Sequence, residues 1–307
     1  MTTVTPPGRL VRLGLMLDAC RPPQLLQQIA RMGERARLDA IWTRDAPPAA
    51  TEAYRPYDAW TVLVLASTVV GRIRLGAVLD ATLRDPEQVA VMARTLAVTT
   101  TGGVQVSLAH EAGGGLDHYA ARIRDALKTH QVGAGPQAPP DAPIRVGVEV
   151  KTGDDVAAAV SLADDVVIPA WAVDDVDDLI TAVRAGAQSA GRNLDTFGIA
   201  VEIPVSPGRT ATEARARAEL DAGFRALGGT DRARIVGTLE QCQDRVIELA
   251  HAGVSELRCI LPGTEDVHDV IAQLTAIAVG NRLALIPGAP RSKAPAPPKD
   301  WGGRPRR

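Results

Sequence analysis

An alternating apolar strand that runs into a polar turn and then into a capped helix recurs along most of the chain. That recurrence constrains the fold more than any single residue does. The clearest copy lies at 74–86, where Ile73, Leu75, Ala77 and Leu79 alternate with Arg74, Gly76, Val78 and Asp80, the two-residue period of a strand. Asp85 is placed to cap the next helix, and Pro86 suits its first turn, where a missing N–H costs nothing. Further strands are read at 11–17, 40–44, 104–109, 144–150, 165–169, 197–205 and 257–261. Helices are read between them at 21–36, 58–69, 86–99, 118–130, 154–163 and 176–190, with two more at 210–227 and 239–252 and a last one at 266–277. Strands and helices in strict alternation, with mainly apolar strand cores, predict an α/β fold: a single (β/α)8 TIM barrel with an extra helix before strand eight. The connector 133–143 is rich in Pro and Gly, but the alternation resumes in phase beyond it. One barrel over 1–286 explains this more simply than two half-sized domains.

From Pro287 onward Ser, Ala, Pro and Lys dominate, so 287–307 is expected to be a disordered, locally basic tail. A formal charge of -2 offers no basic field for nucleic acid. The longest apolar run, 61–70, is far short of the roughly 20 residues that span a bilayer. Cys20, Cys242 and Cys259 have no metal-ligand spacing, and their odd number argues against a disulfide framework. With no signal-peptide pattern in the opening residues, a cytoplasmic protein is expected.

Several stretches resemble the bacterial luciferase-like monooxygenase superfamily. They are Leu38-Asp-Ala-Ile-Trp-Thr-Arg-Asp45, Ala66-Ser-Thr-Val-Val-Gly-Arg-Ile-Arg-Leu-Gly76 with Arg84-Asp-Pro86, and Thr101-Gly-Gly-Val-Gln-Val-Ser107. Ala163-Asp-Asp-Val166 and Ile235-Val-Gly-Thr-Leu-Glu-Gln-Cys242 with Ala252-Gly253 follow in the same order. The resemblance implies a luciferase-like barrel that uses coenzyme F420, or alternatively FMN, on a small-molecule substrate. It also implies a homodimer formed through barrel helices, for which the apolar helices at 58–69 and 86–99 are the candidates. The cofactor ring is expected over a bulge after Gly76, at Ala77-Val78, where relatives carry a non-prolyl cis peptide. Ala109, at the end of strand four, is a further cofactor-binding candidate, and the loop 79–85 is a candidate wall of the site. The cofactor phosphate is expected on Lys151-Thr152-Gly153, a loop whose other reading is a plain helix cap at Thr152 or Asp154.

The chain departs from the family pattern at several of these positions. Relatives that use F420 carry Asp-His after strand two, and here the pair is Asp45-Ala46. The Gly-rich turn after strand four reads His110-Glu111, a pair able to take over proton transfer, since a carboxylate raises the basicity of an imidazole that titrates near neutrality. Asp45 is open to two readings, a hydrogen bond to the cofactor or a cap of its own loop. Arg84 pairs with Asp80 or Asp85, or faces an anionic ligand. Asp18, Tyr54, Tyr57, Trp60 and Trp171 either line a pocket or pack in the core. Three functions follow: an F420-dependent hydride-transfer enzyme, an FMN-dependent monooxygenase, or a degenerate member with a non-redox or ligand-binding role.

Overall fold

The computed structural model describes residues 10–45, 57–109, 116–129, 143–227, 231–263 and 267–284. The expected tail at 287–307, with Tyr54, His110 and Glu111, lies outside the described residues. Eight parallel strands close into a barrel in the order β1 (Arg12–Met16), β2 (Ala40–Arg44), β3 (Arg74–Asp80), β4 (Val104–Ala109), β5 (Ile144–Glu149), β6 (Asp165–Pro169), β7 (Gly198–Gly208) and β9 (Glu256–Ile260). Pairing of β9 with both β7 and β1 completes the ring. Helices α1 (Pro23–Arg35), α2 (Ala59–Ser67), α3 (Pro86–Ala97), α4 (Leu116–Thr129), α5 (Val156–Leu162), α6 (Val176–Ser189), α7 (Ala211–Leu220), α8 (Ala222–Ala226), α9 (Leu239–Ala252) and α10 (Val267–Ala284) accompany it.

The structure corrects the sequence reading around residue 220. The helix expected over 210–227 breaks at Asp221, whose backbone is extended and whose carboxylate accepts the Phe224 N–H, so that α8 starts afresh on its own N-cap. A short ninth strand, β8 (Ile235–Thr238), pairs with the outer end of β7, from Val205↔Ile235 to Gly208↔Thr238. Asp85 does cap α3, accepting the N–H groups of Glu87 and Gln88 at 3.0 and 3.3 Å.

Strand alternation divides the barrel wall into two faces. Leu75, Ala77 and Leu79 of β3 belong to the continuous apolar layer between strands and helices. The other parity points into the lumen, and there the side chains are charged. TIM-barrel lumens are ordinarily filled by branched apolar residues. In this one Glu256 takes Arg74 at 2.5 Å and Arg12 at 3.5 Å, while Asp165 takes Arg145 at 2.7 Å and the Gln105 amide at 2.9 Å. Above them lies Trp42, fully buried, whose indole N–H donates to Glu256 at 2.8 Å. The Arg258 guanidinium stacks over its ring at 3.3 Å from the centroid.

This arrangement explains two glycines and removes one expectation. A Cβ on Gly14 would lie 2.7 Å from the Trp42 ring, and one on Gly76 would lie 2.3 Å from it, so both positions must be bare for the indole to fit. Gly76 therefore serves a close approach rather than a turn. β3 runs in unbroken register against β2 (Ala40↔Arg74 to Arg44↔Val78) and β4 (Leu75↔Val104 to Asp80↔Ala109). Every peptide bond among the described residues is trans. Neither a bulge nor a cis bond is present at Ala77-Val78, because both residues are held in regular pairing on either side.

Candidate functional site

At the C-terminal ends of the strands, the end where TIM barrels carry their chemistry, the lumen opens on an apolar floor. Val78 and Ala109 are buried there against Trp42, and Met16 packs beside them. Next to this floor stands a charged cluster drawn from β2, β7 and the end of β5. Arg44, the last residue of β2, donates from Nε and Nη2 to the two oxygens of Glu202 at 2.8 and 2.9 Å, and from Nη2 to Glu149 as well. Lys151 reaches the other Glu149 oxygen at 3.2 Å. The carboxylate side chains are 1% exposed, while those of Arg44 and Lys151 are 21% and 33% exposed, so the cations are the members of the cluster nearest solvent. Trp171, on the turn after β6, lies under the Arg44 guanidinium at 5.4 Å. Its indole N–H is buried without a hydrogen-bond partner among the described residues.

The electrostatics follow from this geometry. Burial penalises the Glu149 carboxylate, but the Arg44 guanidinium, backed by Lys151, outweighs it and holds the group below the usual carboxylate range. Burial likewise pushes Arg44 down, and Glu202 with Glu149 more than restores it, so the guanidinium stays charged.

A second cluster ties the mouth loops together. The Asp45 carboxylate, 6% exposed, accepts Arg84 Nε at 3.1 Å and Nη2 at 2.8 Å, and the Asp80 N–H at 3.2 Å. Arg84 also pairs with Asp58, the N-cap of α2, and its carbonyl accepts the Tyr119 hydroxyl at 2.8 Å. Burial, with the nearby Asp85 charge, raises the Tyr119 phenol to about 12. The expected partners of Arg84 were Asp80 and Asp85; Asp80 instead holds Thr82, and Asp85 is spent on its helix cap. Asp45 thus clasps β2 to the loop after β3, with its carboxylate oxygens engaged by the chain itself.

The other candidates fall in different places. Gly76 lies below the mouth against Trp42, and Ala77 faces the helices, while Val78 and Ala109 line the floor. Thr152 turns inward on its own loop: its N–H and hydroxyl donate to Asp155 at 3.1 and 2.8 Å. Gly153 stands in open space. Thr152 is the N-cap of the short turn that starts at Gly153, in a capping box with Asp155, so of the two expected caps it is Thr152 and not Asp154 that fills the position. Trp60 is a core residue, Tyr57 is exposed, and Asp18 binds Arg21 and the Cys20 N–H. Asp18 and Arg21 also line a recess of about 30 Å³ between the ends of β1 and β9, with Met16 and Pro262. Sequence reasoning passed over Arg44, Glu149 and Glu202, although each is a charge at lumen parity in an otherwise apolar strand.

No protein-family model and no curated protein sequence matches the chain. Solved structures do. The coenzyme F420-dependent tetrahydromethanopterin reductase from Methanopyrus kandleri superposes with a TM-score of 0.66 at 16% identity, over 88% of this chain and 98% of that one. An EDTA monooxygenase from Chelativorans sp. BNC1 gives 0.65 at 14% identity, over 92% and 96%. The long-chain alkane monooxygenase LadA gives 0.65 at 12% identity, over 87% and 90%. The chain has the β/α barrel fold that these structures share.

Proposed function

We propose that this chain is a luciferase-like oxidoreductase that holds a coenzyme F420 deazaflavin, or as the alternative FMN, over the mouth of its barrel and acts on a small organic molecule. One observation carries the reading: an apolar cluster of Met16, Val78 and Ala109 lies beside the charged Arg44 cluster at the C-terminal end of the strands. A planar ring with one polar edge fits such a surface, and the unpartnered Trp171 indole is a donor for that edge. The cofactor, when bound, supplies the hydride chemistry. The chain's own part is to bury a ring face on the floor, to orient its polar edge with Arg44 and Trp171, and to brace the surrounding loops through the Asp45–Arg84–Asp58 clasp. We place proton transfer on His110 and Glu111, which follow the floor residue Ala109 directly in the sequence.

Lys151-Thr152-Gly153 is the weaker part of the fit, since Lys151 faces Glu149 and Thr152 faces Asp155. Together with the engagement of Asp45 by Arg84, this favours a second reading, a degenerate barrel that has kept the fold without the redox step. The oligomer we propose is a homodimer through α2 and α3, where Val64, Val91 and Val98 are exposed apolar side chains. No helix among the described residues is long and apolar enough to cross a membrane. A cytoplasmic setting accords with three cysteines that are all free.

Titration of the purified protein with F420 and, separately, with FMN tests the reading through cofactor fluorescence and melting temperature. A ligand that exceeds its dissociation constant a hundredfold stabilises by about 2.7 kcal/mol. Saturable binding of either cofactor with that stabilisation is the expected result. Binding of neither overturns the redox reading in favour of the degenerate one.

A further inference from the structure

The charged cluster at the mouth is arranged so that Arg44 can be released without leaving a buried charge alone. Its guanidinium already receives a carboxylate in the two-point geometry that arginine offers to such groups, with Glu202 on both Nε and Nη2. Each of its carboxylate partners has another cation at hand. Glu149 is paired with Lys151 at 3.2 Å. Glu202 stands directly opposite Arg258 in the β7–β9 pairing, and both side chains lie inside the barrel.

Arg258 is the odd member of the lumen. It is 0% exposed, and its Nη2 donates to the Ser107 hydroxyl at 3.0 Å. Its Nε and Nη1 have no hydrogen-bond partner, and among the described residues it is in no ion pair, whereas Arg74 and Arg145 each hold a carboxylate. A fully buried guanidinium left in that state is costly unless an anion can be brought to it. Arg44 and Lys151 share Glu149 and Glu202, and Arg258 lies between Glu202 and the lower carboxylates Glu256 and Asp165, which already hold Arg74, Arg12 and Arg145, so cations outnumber carboxylates in the lumen. An added anion at the mouth lowers that excess.

We propose that Arg44 is the receptor for an anionic oxygen group, a carboxylate or a phosphate, of a ligand bound at the mouth, and that Arg258 is the reserve partner that takes Glu202 when the ligand takes Arg44. The ligand's anion then occupies the place that Glu202 holds in the unliganded chain, on the guanidinium that lies over the Trp171 ring. Arg258 is a positioning residue in this scheme, since Trp42 and Ser107 keep it below the mouth. The inference rests on the mouth being the ligand site, as the proposed function has it, but it requires no redox step.

Calorimetric titration of the full chain with benzoate, its neutral isostere benzamide and inorganic phosphate tests it, together with FMN against riboflavin, which lacks the phosphate. An anion is expected to bind at least about tenfold tighter than its neutral counterpart, a preference that Arg44→Met removes. Glu202→Gln takes away one of the two anions on Arg44, leaving it to Glu149, and is expected to tighten the anion about tenfold, while Arg258→Met strands Glu202 and is expected to weaken it about tenfold. Benzamide and riboflavin should follow neither change, which a general structural defect would not reproduce. An Arg44-dependent preference for benzoate assigns the anion to a substrate, and a preference for FMN over riboflavin assigns it to a cofactor phosphate. If no anion shows an Arg44-dependent preference, or if Glu202→Gln weakens the anion, the proposal falls; Glu202→Gln alone decides should Arg258→Met fail to fold. Anion binding without flavin binding leaves this proposal standing and removes the redox reading, and the reverse result does the opposite.

Discussion

At the lower end of the lumen Glu256, 1% exposed, holds Arg74, Arg12 and the Trp42 indole on one carboxylate, whereas at the mouth Arg44, 21% exposed, is shared between Glu149 and Glu202. Both are buried ionic clusters inside the same eight strands, but their organisation is reversed. Below, one anion serves several cations, and a tryptophan closes the layer above. Above, one cation serves two anions, each with another cation beside it. Taking ions out of water costs several kcal/mol each, and the mutual attraction returns that only while every member keeps a partner. The lower cluster therefore holds the fold and tolerates no loss, while the upper one has partners to exchange.

The largest expected effect follows from removing Glu256 below. Glu256→Gln keeps the shape and strands Arg74 and Arg12, and it should lower unfolding stability in urea by about 3–5 kcal/mol. A loss below about 1 kcal/mol would show that the two clusters are equally replaceable. Acid should discriminate in the same way. Burial would raise the Glu256 carboxyl, but Arg74, Arg258 and Arg12 hold it below its usual 4.5. The unfolded chain therefore takes up the proton first, so this contribution is complete above that value and is lost as pH falls through the lower folded value. Stability of the wild-type chain should drop steeply below about pH 4.5, and that of Glu256→Gln less so.

A smaller effect is expected where the layer meets the strands. Gly76→Ala puts a methyl within 2.3–2.6 Å of three Trp42 ring atoms, and overpacking of this kind costs about 1–3 kcal/mol. Gly153→Ala, at the mouth, meets nothing within 4 Å and has no positive φ. It should be neutral or slightly stabilising, by up to about 1 kcal/mol. Melting temperatures of the two variants check the contrast. If both glycines tolerate alanine equally, Trp42 is not the rigid plug described above.

The sequence made much of this arrangement legible, and the limits have physical causes. The β3 alternation at 74–80 was readable, as were the Asp85 cap and the closure into one barrel, because each depends on residues close together in the chain. Which parity of β3 faced the lumen was not, since Arg74 and Gly76 look like a solvent face until Trp42 and Glu256 are brought to them from β2 and β9. The break at Asp221 was hidden because the Ala/Arg/Glu pattern continues past it; what stops the helix is a carboxylate that also accepts the Gly263 N–H, forty-two positions away. Arg84 had four nearby aspartates in sequence or space to choose from, Asp80, Asp85, Asp45 and Asp58, and it took the last two. Arg44, Glu149 and Glu202 carried a signal in their parity, but only the assembled barrel shows that they meet.

The smallest expected effect lies at the rim of the upper cluster. Lys151 is 33% exposed and faces Glu149 at 3.2 Å, so its pairing is partly screened by water. Pairs of that kind contribute about 0–1 kcal/mol, and Lys151→Met should cost no more, because Glu149 keeps Arg44. The same variant takes away the cation on which Glu149 depends when Arg44 is drawn elsewhere. Chemical denaturation, run without ligand and then with saturating benzoate, separates the two roles. A near-zero loss without ligand and a clear loss of the ligand-induced stabilisation would place Lys151 among the exchangeable partners of the mouth. A large loss in both would make the upper cluster a structural lock of the same kind as the lower one, and the contrast between the two ends of the lumen would disappear.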